Sequence, residues 1–205
     1  MINKPVLQNG LEKIAKKMAE NRDYLIKLDQ RNGDGDLGIS MSAGFEAAYQ
    51  AVKESNETDL GKVLLAASKA FNSAAPSSLG TILSIGLMGM AKELKGKESA
   101  DVTSLANAME NGLNNIMQKA GSKPGEKTIL DTFHPAILEL KKCGEDNLSL
   151  EESLKKATKA AEMGAESTKN MKACHGRAAY FAESSLGIED GGAIAGKLMF
   201  EAIAE

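Results

Sequence analysis

Apolar residues return every three or four positions along most of this chain, and a chain so patterned can bury them only by packing amphipathic helices together. Leu11, Ile14, Ala15 and Met18 set the spacing in a first helix, which continues or restarts through Tyr24, Leu25 and Leu28. A second helix is expected from about Gly38 to Lys53, with Ile39, Met41, Phe45 and Ala48 facing inward. A third runs from Thr58 to Ser73, capped by Thr58 or Asp59, and a fourth from Ser78 to about Leu94. Leu105, Ala108, Met109, Gly112, Leu113 and Ile116 keep the period through a fifth that ends before Gly121, and a sixth spans roughly Thr128 to Cys143. Ser149 with Glu152 forms a capping box for a seventh, whose Ala157, Ala161 and Ala165 invite close packing. The eighth passes through Leu198 and Phe200. Aromatics make up only 4% of the residues and there is no Trp, which also favours helix over sheet. The reading is all-α: eight helices, no strand pattern, and one domain over 1–205.

The breaks between helices carry the chemistry. Asp29, Asp34 and Asp36 place three carboxylates in eight residues, laced with Gly33, Gly35 and Gly38 just ahead of the second helix. Two readings fit. Asp and Gly are common in turns and at helix N-termini, so the aspartates could simply cap the next helix. Crowded carboxylates also repel one another unless a cation sits among them, and hard divalent cations take oxygen ligands. An EF-hand is excluded, because a loop counted from Asn32 has Leu37 at its required glycine and Ala43 at its closing Glu. Mg²⁺ usually combines one or two carboxylates with a substrate's phosphates, which suits three aspartates beside a single basic residue, Arg31.

Pro76-Ser77-Ser78 opens the fourth helix with hydroxyls and free N–H groups, an arrangement that serves as an N-cap far more often than as a phosphate cradle. The stretch from Gly121 to Asp131 mixes Gly, Pro and Lys but is no P-loop, since Glu126 intrudes after Gly125. His134 and His175 stand alone, without metal-ligand spacing, and read as structural. Cys143 and Cys174 form no C-x-x-C and are expected to be buried or half-buried free thiols of a reducing compartment. The net charge of −3 offers no general attraction to nucleic acid or acidic lipid. With no apolar leader or spanning run, the chain is expected to be cytoplasmic.

Taken together, these segments resemble the nucleotide-binding L subunit of dihydroxyacetone kinase over nearly the whole chain. That family's acidic loop, G-D-G-D-H-G, corresponds to the residues from Gly33 to Gly38. Its G-D-K-T-[ML]-D segment corresponds to the run from Gly125 through Glu126, Lys127 and Thr128 to Asp131. Its late G-R-A-S-Y motif corresponds to Gly176, Arg177, Ala178, Ala179 and Tyr180, followed by Glu183, Ser185, Gly187, Asp190, Gly192 and Ala193. The resemblance implies an up-and-down barrel of eight antiparallel helices that holds ADP or ATP through two Mg²⁺ ions on Asp29, Asp34 and Asp36. It implies that Leu37, Gly38, Ile39, Ser40, Ser77, Ser78, Gly121, Ile129, Asp190, Gly191 and Gly192 line the nucleotide. Arg177 would both bind the nucleotide and act in catalysis.

The implied partners are a K subunit that carries dihydroxyacetone and a phosphotransferase-system protein as phosphoryl donor, with room left for a homodimer. Leu37 stands where the family has His, Leu79 where it has Gly, Glu126 where it has Asp, and Gly191 where it has Pro. A kinase subunit for another keto sugar, or a nucleotide-sensing module that binds a regulator, would use the same site differently.

Overall fold

The structure, a computed structural model, describes the backbone of residues 1–205 and every side chain except that of Phe181. Its helices are α1 (Lys4–Glu20), α2 (Arg22–Asp29), α3 (Leu37–Glu54), α4 (Leu60–Ala74), α5 (Ser78–Glu93), α6 (Val102–Ala120), α7 (Leu130–Glu145), α8 (Leu150–Ser167) and α9 (Gly191–Ala204). Two 3₁₀ segments, Thr168–Asn170 and Arg177–Phe181, lie between α8 and α9. The fold is all-α, as the periodicity requires.

Nine helices rather than eight appear among the described residues because the first run breaks at Asn21. Its backbone leaves the helical region (φ −99°, ψ 9°) while its side-chain amide donates to Lys17 O at 2.9 Å. Asparagine competes in this way with the backbone ladder. The sequence also hides two very short strands, β1 (Ile2–Asn3) and β2 (Ser99–Ala100), paired antiparallel. Two residues are too few to show an alternation.

Each long helix packs on its neighbours in the chain, from α1 on α3 through to α8 on α9, and α9 packs back on α1. That return closes an up-and-down barrel of eight antiparallel helices, with α2 leaning outside on α3 and α9. Leu11, Ile14, Ala15 and Met18 are buried as expected. The alanine face of α8 is fully packed, with Ala157 and Ala161 at 0% exposure. Ile39 breaks the expected pattern by standing 49% exposed. The inward stripe of α3 is Leu37, Met41, Phe45, Ala48 and Val52, a three- and four-residue spacing that turns position 39 outward. The barrel is hollow: an apolar cavity of about 660 Å³ lies among Leu7, Phe45, Leu87, Met109, Phe133 and Phe200. No helix among the described residues is long and apolar enough to cross a membrane.

Because the helices alternate in direction, the connections sort by end. Segments 30–36, 75–77, 121–129 and 168–190 share one end of the barrel. The β1–β2 pair and segments 55–59, 94–101 and 146–149 share the other.

Candidate functional site

Each end of the barrel presents four N-termini of the ring helices, so helix dipoles alone do not choose between them. Capping does. At the β1–β2 end all four helices cap themselves: Asn3, Asp59, Asp101 and Ser149 each accept from N–H groups of their own first turn. Asp59, not Thr58, is the cap of α4, and the Ser149–Glu152 capping box is present. At the opposite end Ser77 caps α5 and Asp190 caps α9, whereas α3 and α7 have no side-chain cap. Among the described residues, the N–H groups of Leu37, Gly38 and Ile39 have no partner, and the first bond of α3 runs from Ser40 N to Asp36 O at 2.9 Å. Free N–H groups at a positive helix end attract an anion.

The acidic loop stands directly in front of them. Asp29, Asp34 and Asp36 each offer a carboxylate oxygen within 4.8 Å of the others. Asp36 occupies the N-cap position of α3, yet its carboxylate caps nothing. The simple capping reading therefore fails for this aspartate, and the cluster satisfies the donor requirement of a hard divalent cation. Burial, followed by the like charges of Asp34 and Asp29, pushes the Asp36 carboxyl above its ordinary pKa. Asp29 is held from behind, since it accepts from Gly35 N at 2.7 Å. Gly35 supplies the left-handed backbone that this turn needs (φ 79°), and a Cβ at Gly33 would sit 2.2 Å from Asp29 Oδ1. Arg177 reaches in from the 168–190 segment and pairs with Asp34 at 2.8 Å.

The other anticipated residues divide by what they can offer. Leu37 is buried, and a Cβ at Gly191 would come within 2.8 Å of its Cδ2, so its side chain packs under the start of α9 and only its N–H faces the site. The replacement of a family imidazole is thus a packing change at this position. Leu79 likewise packs against the core. Ser77 accepts from Gly80 N at 3.1 Å, which confirms the N-cap reading and leaves its O–H free to donate. Gly121 is the left-handed residue that ends α6 (φ 65°). Ile129, Asp190 and Gly192 meet where α7 and α9 begin, as a Cβ at Gly192 would lie 3.4 Å from Ile129 N and 3.0 Å from Asp190 Oδ2.

The sequence reading passed over two features here. Glu126 accepts from Lys123 N and pairs with His175 Nε2 at 2.6 Å, a bond that holds the Glu126 pKa below its ordinary value. Lys127 is buried with its ammonium on backbone carbonyls of the 168–190 segment. Neither contact leaves a local signature, because each joins distant parts of the chain. Cys143 is buried as expected, but Cys174 is exposed because its segment runs over the surface.

Asp190 keeps part of its surface in solvent, yet desolvation raises its carboxyl from 3.8 to about 6, against the opposing pull of the Ala193 N–H and Lys127. A raised pKa means that the folded chain holds this proton more tightly than the unfolded chain does. The group's contribution to stability therefore declines as pH rises from 3.8 to about 6 and is level above that. Urea unfolding of parent and Asp190→Asn should show a pH slope in this window that the variant lacks, and equal slopes would contradict the assignment.

The family model for the DAK2 domain matches residues 32–205. The ADP-binding subunit DhaL of PEP-dependent dihydroxyacetone kinase from Escherichia coli is 27% identical over 99% of this chain and 97% of its own length. The ADP-binding subunit DhaL of PEP-dependent dihydroxyacetone kinase 1 from Listeria innocua is 31% identical over 94% of this chain and 91% of its own. Among solved structures, the dihydroxyacetone kinase from C. freundii, crystallised with AMP-PNP and Mg²⁺, superposes with a TM-score of 0.77 at 22% identity, over 96% of this chain and 33% of that one. The fold is therefore shared with a part of that larger protein.

Proposed function

The chain belongs to the DAK2 domain family and is similar to ADP-binding DhaL subunits along nearly its whole length, and on that premise we propose that it is the nucleotide-binding phosphotransferase subunit of a dihydroxyacetone kinase. One observation carries the reading: three carboxylates converge within 4.8 Å in front of a helix whose first N–H groups have no partner. Asp29, Asp34 and Asp36 would hold Mg²⁺, which supplies charge neutralisation to the phosphates of ADP or ATP. The N–H groups of Leu37 to Ile39 and the start of α7 at Ile129 would orient the phosphate chain. Ser77, Ser78, Gly121 and the turn from Asp190 to Gly192 would line the rest of the nucleotide.

Phosphoryl transfer is mostly a matter of positioning and charge stabilisation, so the absence of a strong general base from these residues is no obstacle. Arg177 is 68% exposed at its side chain and bound to a single carboxylate, so it is free to transfer its planar fork to a phosphate oxygen. Arg177→Ala should lose about 1.5–3 kcal/mol of nucleotide binding, roughly a tenfold to hundredfold fall in affinity, as for a hydrogen bond to a charged group. Arg177→Lys should recover part of it. Calorimetric titration with Mg²⁺–ADP checks this, and unchanged affinity in Arg177→Ala would remove the residue from the site. Native mass spectrometry of the purified protein tests the wider reading: a retained mass of nucleotide plus Mg²⁺, released by EDTA, is the expected result. The acceptor, dihydroxyacetone or a similar keto sugar, would be presented by a separate K subunit.

A further inference from the structure

The segment between α8 and α9 carries Arg177 and Asp190, and is tied to other connections through His175 on Glu126 and Arg177 on Asp34. Apart from the five-residue 3₁₀ turn at Arg177–Phe181 it runs without helix from residue 171 to 190. Among its described side chains, only Ala173 and Ser185 are buried. Its surface tie Lys172–Glu183 is exposed, and pairs of that kind contribute little.

Against this stands Lys127, which is only 4% exposed in the connection leading to α7. Its Nζ lies 2.7 Å from Thr168 O, 3.2 Å from Met171 O, 2.8 Å from Ser185 O and 2.6 Å from Ile188 O. An ammonium has three N–H donors to share among these four carbonyls, whereas a neutral amine would have two and leave more acceptors unmet. Burial pushes the Lys127 pKa down, and the charge of Asp190 opposes that shift only in part. The backbone of Lys127 is left-handed (φ 60°), a conformation costly for a residue with a long side chain and retained where the surroundings impose it. The same carbonyl-bearing residues are cross-braced. Thr168 Oγ1 accepts from Asp190 N at 3.0 Å, and Ser185 Oγ accepts from Ala173 N at 3.0 Å. The cage is a built site, with the lysine acting as its resident cation.

We propose that Lys127 is a positioning residue: its ammonium clasps both ends of the 168–190 segment and so holds Arg177 over the Asp29, Asp34 and Asp36 cluster. The inference rests on the nucleotide reading for its functional consequence, but the clasp itself does not. Lys127 has no hydrogen bond or ion pair with the carboxylate cluster or with the free N–H groups of α3; its ammonium bonds carbonyls of the segment.

Two variants separate charge from packing. Lys127→Met keeps the stem and removes the charge, and Lys127→Ala leaves room for an added amine. In the ligand-free chain, hydrogen exchange at the amides of Ala173, Gly187 and Asp190 should be at least about tenfold faster in Lys127→Met, with α3 to α6 protected as in the parent. Affinity for Mg²⁺–ADP should fall roughly 10–100-fold, the range typical when a residue behind the ligands is lost. n-Propylammonium should restore slow exchange and affinity to Lys127→Ala, and n-propanol should not. Parental exchange in Lys127→Met, or equal recovery of Lys127→Ala by amine and alcohol, would overturn the proposal. Should the parent itself take up no Mg²⁺–ADP, the nucleotide reading would fall, while the exchange comparison, made without nucleotide, would still decide the clasp.

Discussion

Mg²⁺ with ADP should raise the melting temperature of the parent chain, and replacing Asp34 or Asp36 by Ala should abolish that rise. At ligand a hundredfold above its dissociation constant, binding to the folded state alone adds about 2.7 kcal/mol, or roughly 5–10 °C for a chain of this size. ADP in EDTA should do little. The two aspartates are the informative targets because neither carboxylate supports the loop: Asp36 caps nothing, and Asp34 bonds only to the exposed Arg177. Asp29 accepts from Gly35 N, so its loss would disturb the turn as well as the ligand set. Without ligand, each Ala variant should be at least as stable as the parent, because one member of a mutually repelling cluster has been removed and its desolvation relieved. Differential scanning calorimetry with Mg²⁺, ADP, both, and both plus EDTA reads all of this. A shift of equal size with and without metal, or one retained in Asp36→Ala, would sink the metal assignment.

The second large effect is catalytic. The chain alone should form no detectable dihydroxyacetone phosphate from dihydroxyacetone and ATP. A ketone diffusing in solution forgoes the advantage of a held reactant, which can amount to about 7–11 kcal/mol of barrier, or effective molarities of roughly 10⁵–10⁸ M. Among the described residues, the acidic cluster, the free N–H groups of α3 and Arg177 make up the site, and none of these forms a covalent anchor for a ketone. Adding a K subunit that carries dihydroxyacetone, with ATP or with a phosphotransferase-system donor, should start turnover. Mixtures each lacking one component, followed by product formation, separate the roles. Turnover by the isolated chain would refute the division of labour. Silence in every mixture would favour a nucleotide-sensing module or a kinase subunit for another keto sugar.

What the sequence determined by itself is whatever depends on residues a few positions apart. The 3.6-residue stripes specified the eight long helices and nearly their ends, though not the break at Asn21 that makes α2 a helix of its own, because facing residues on a helix are three and four apart. The Ser149–Glu152 box was legible for the same reason, and so was the aspartate cluster: three carboxylates within one short loop meet however the rest of the chain folds. The expectations of a closed barrel and of a nucleotide site came from the family's motifs and not from periodicity, which says nothing of which helix lies beside which. Tertiary structure decided the relations between distant residues. It closed α9 on α1, turned Ile39 outward and Leu37 inward, and joined Glu126 to His175. It brought Arg177 to Asp34 and surrounded Lys127 with carbonyls from another connection. No local pattern encodes such meetings, because they depend on which loops the alternating helices bring to the same end of the barrel, and a buried lysine in sequence looks like any other lysine in a loop.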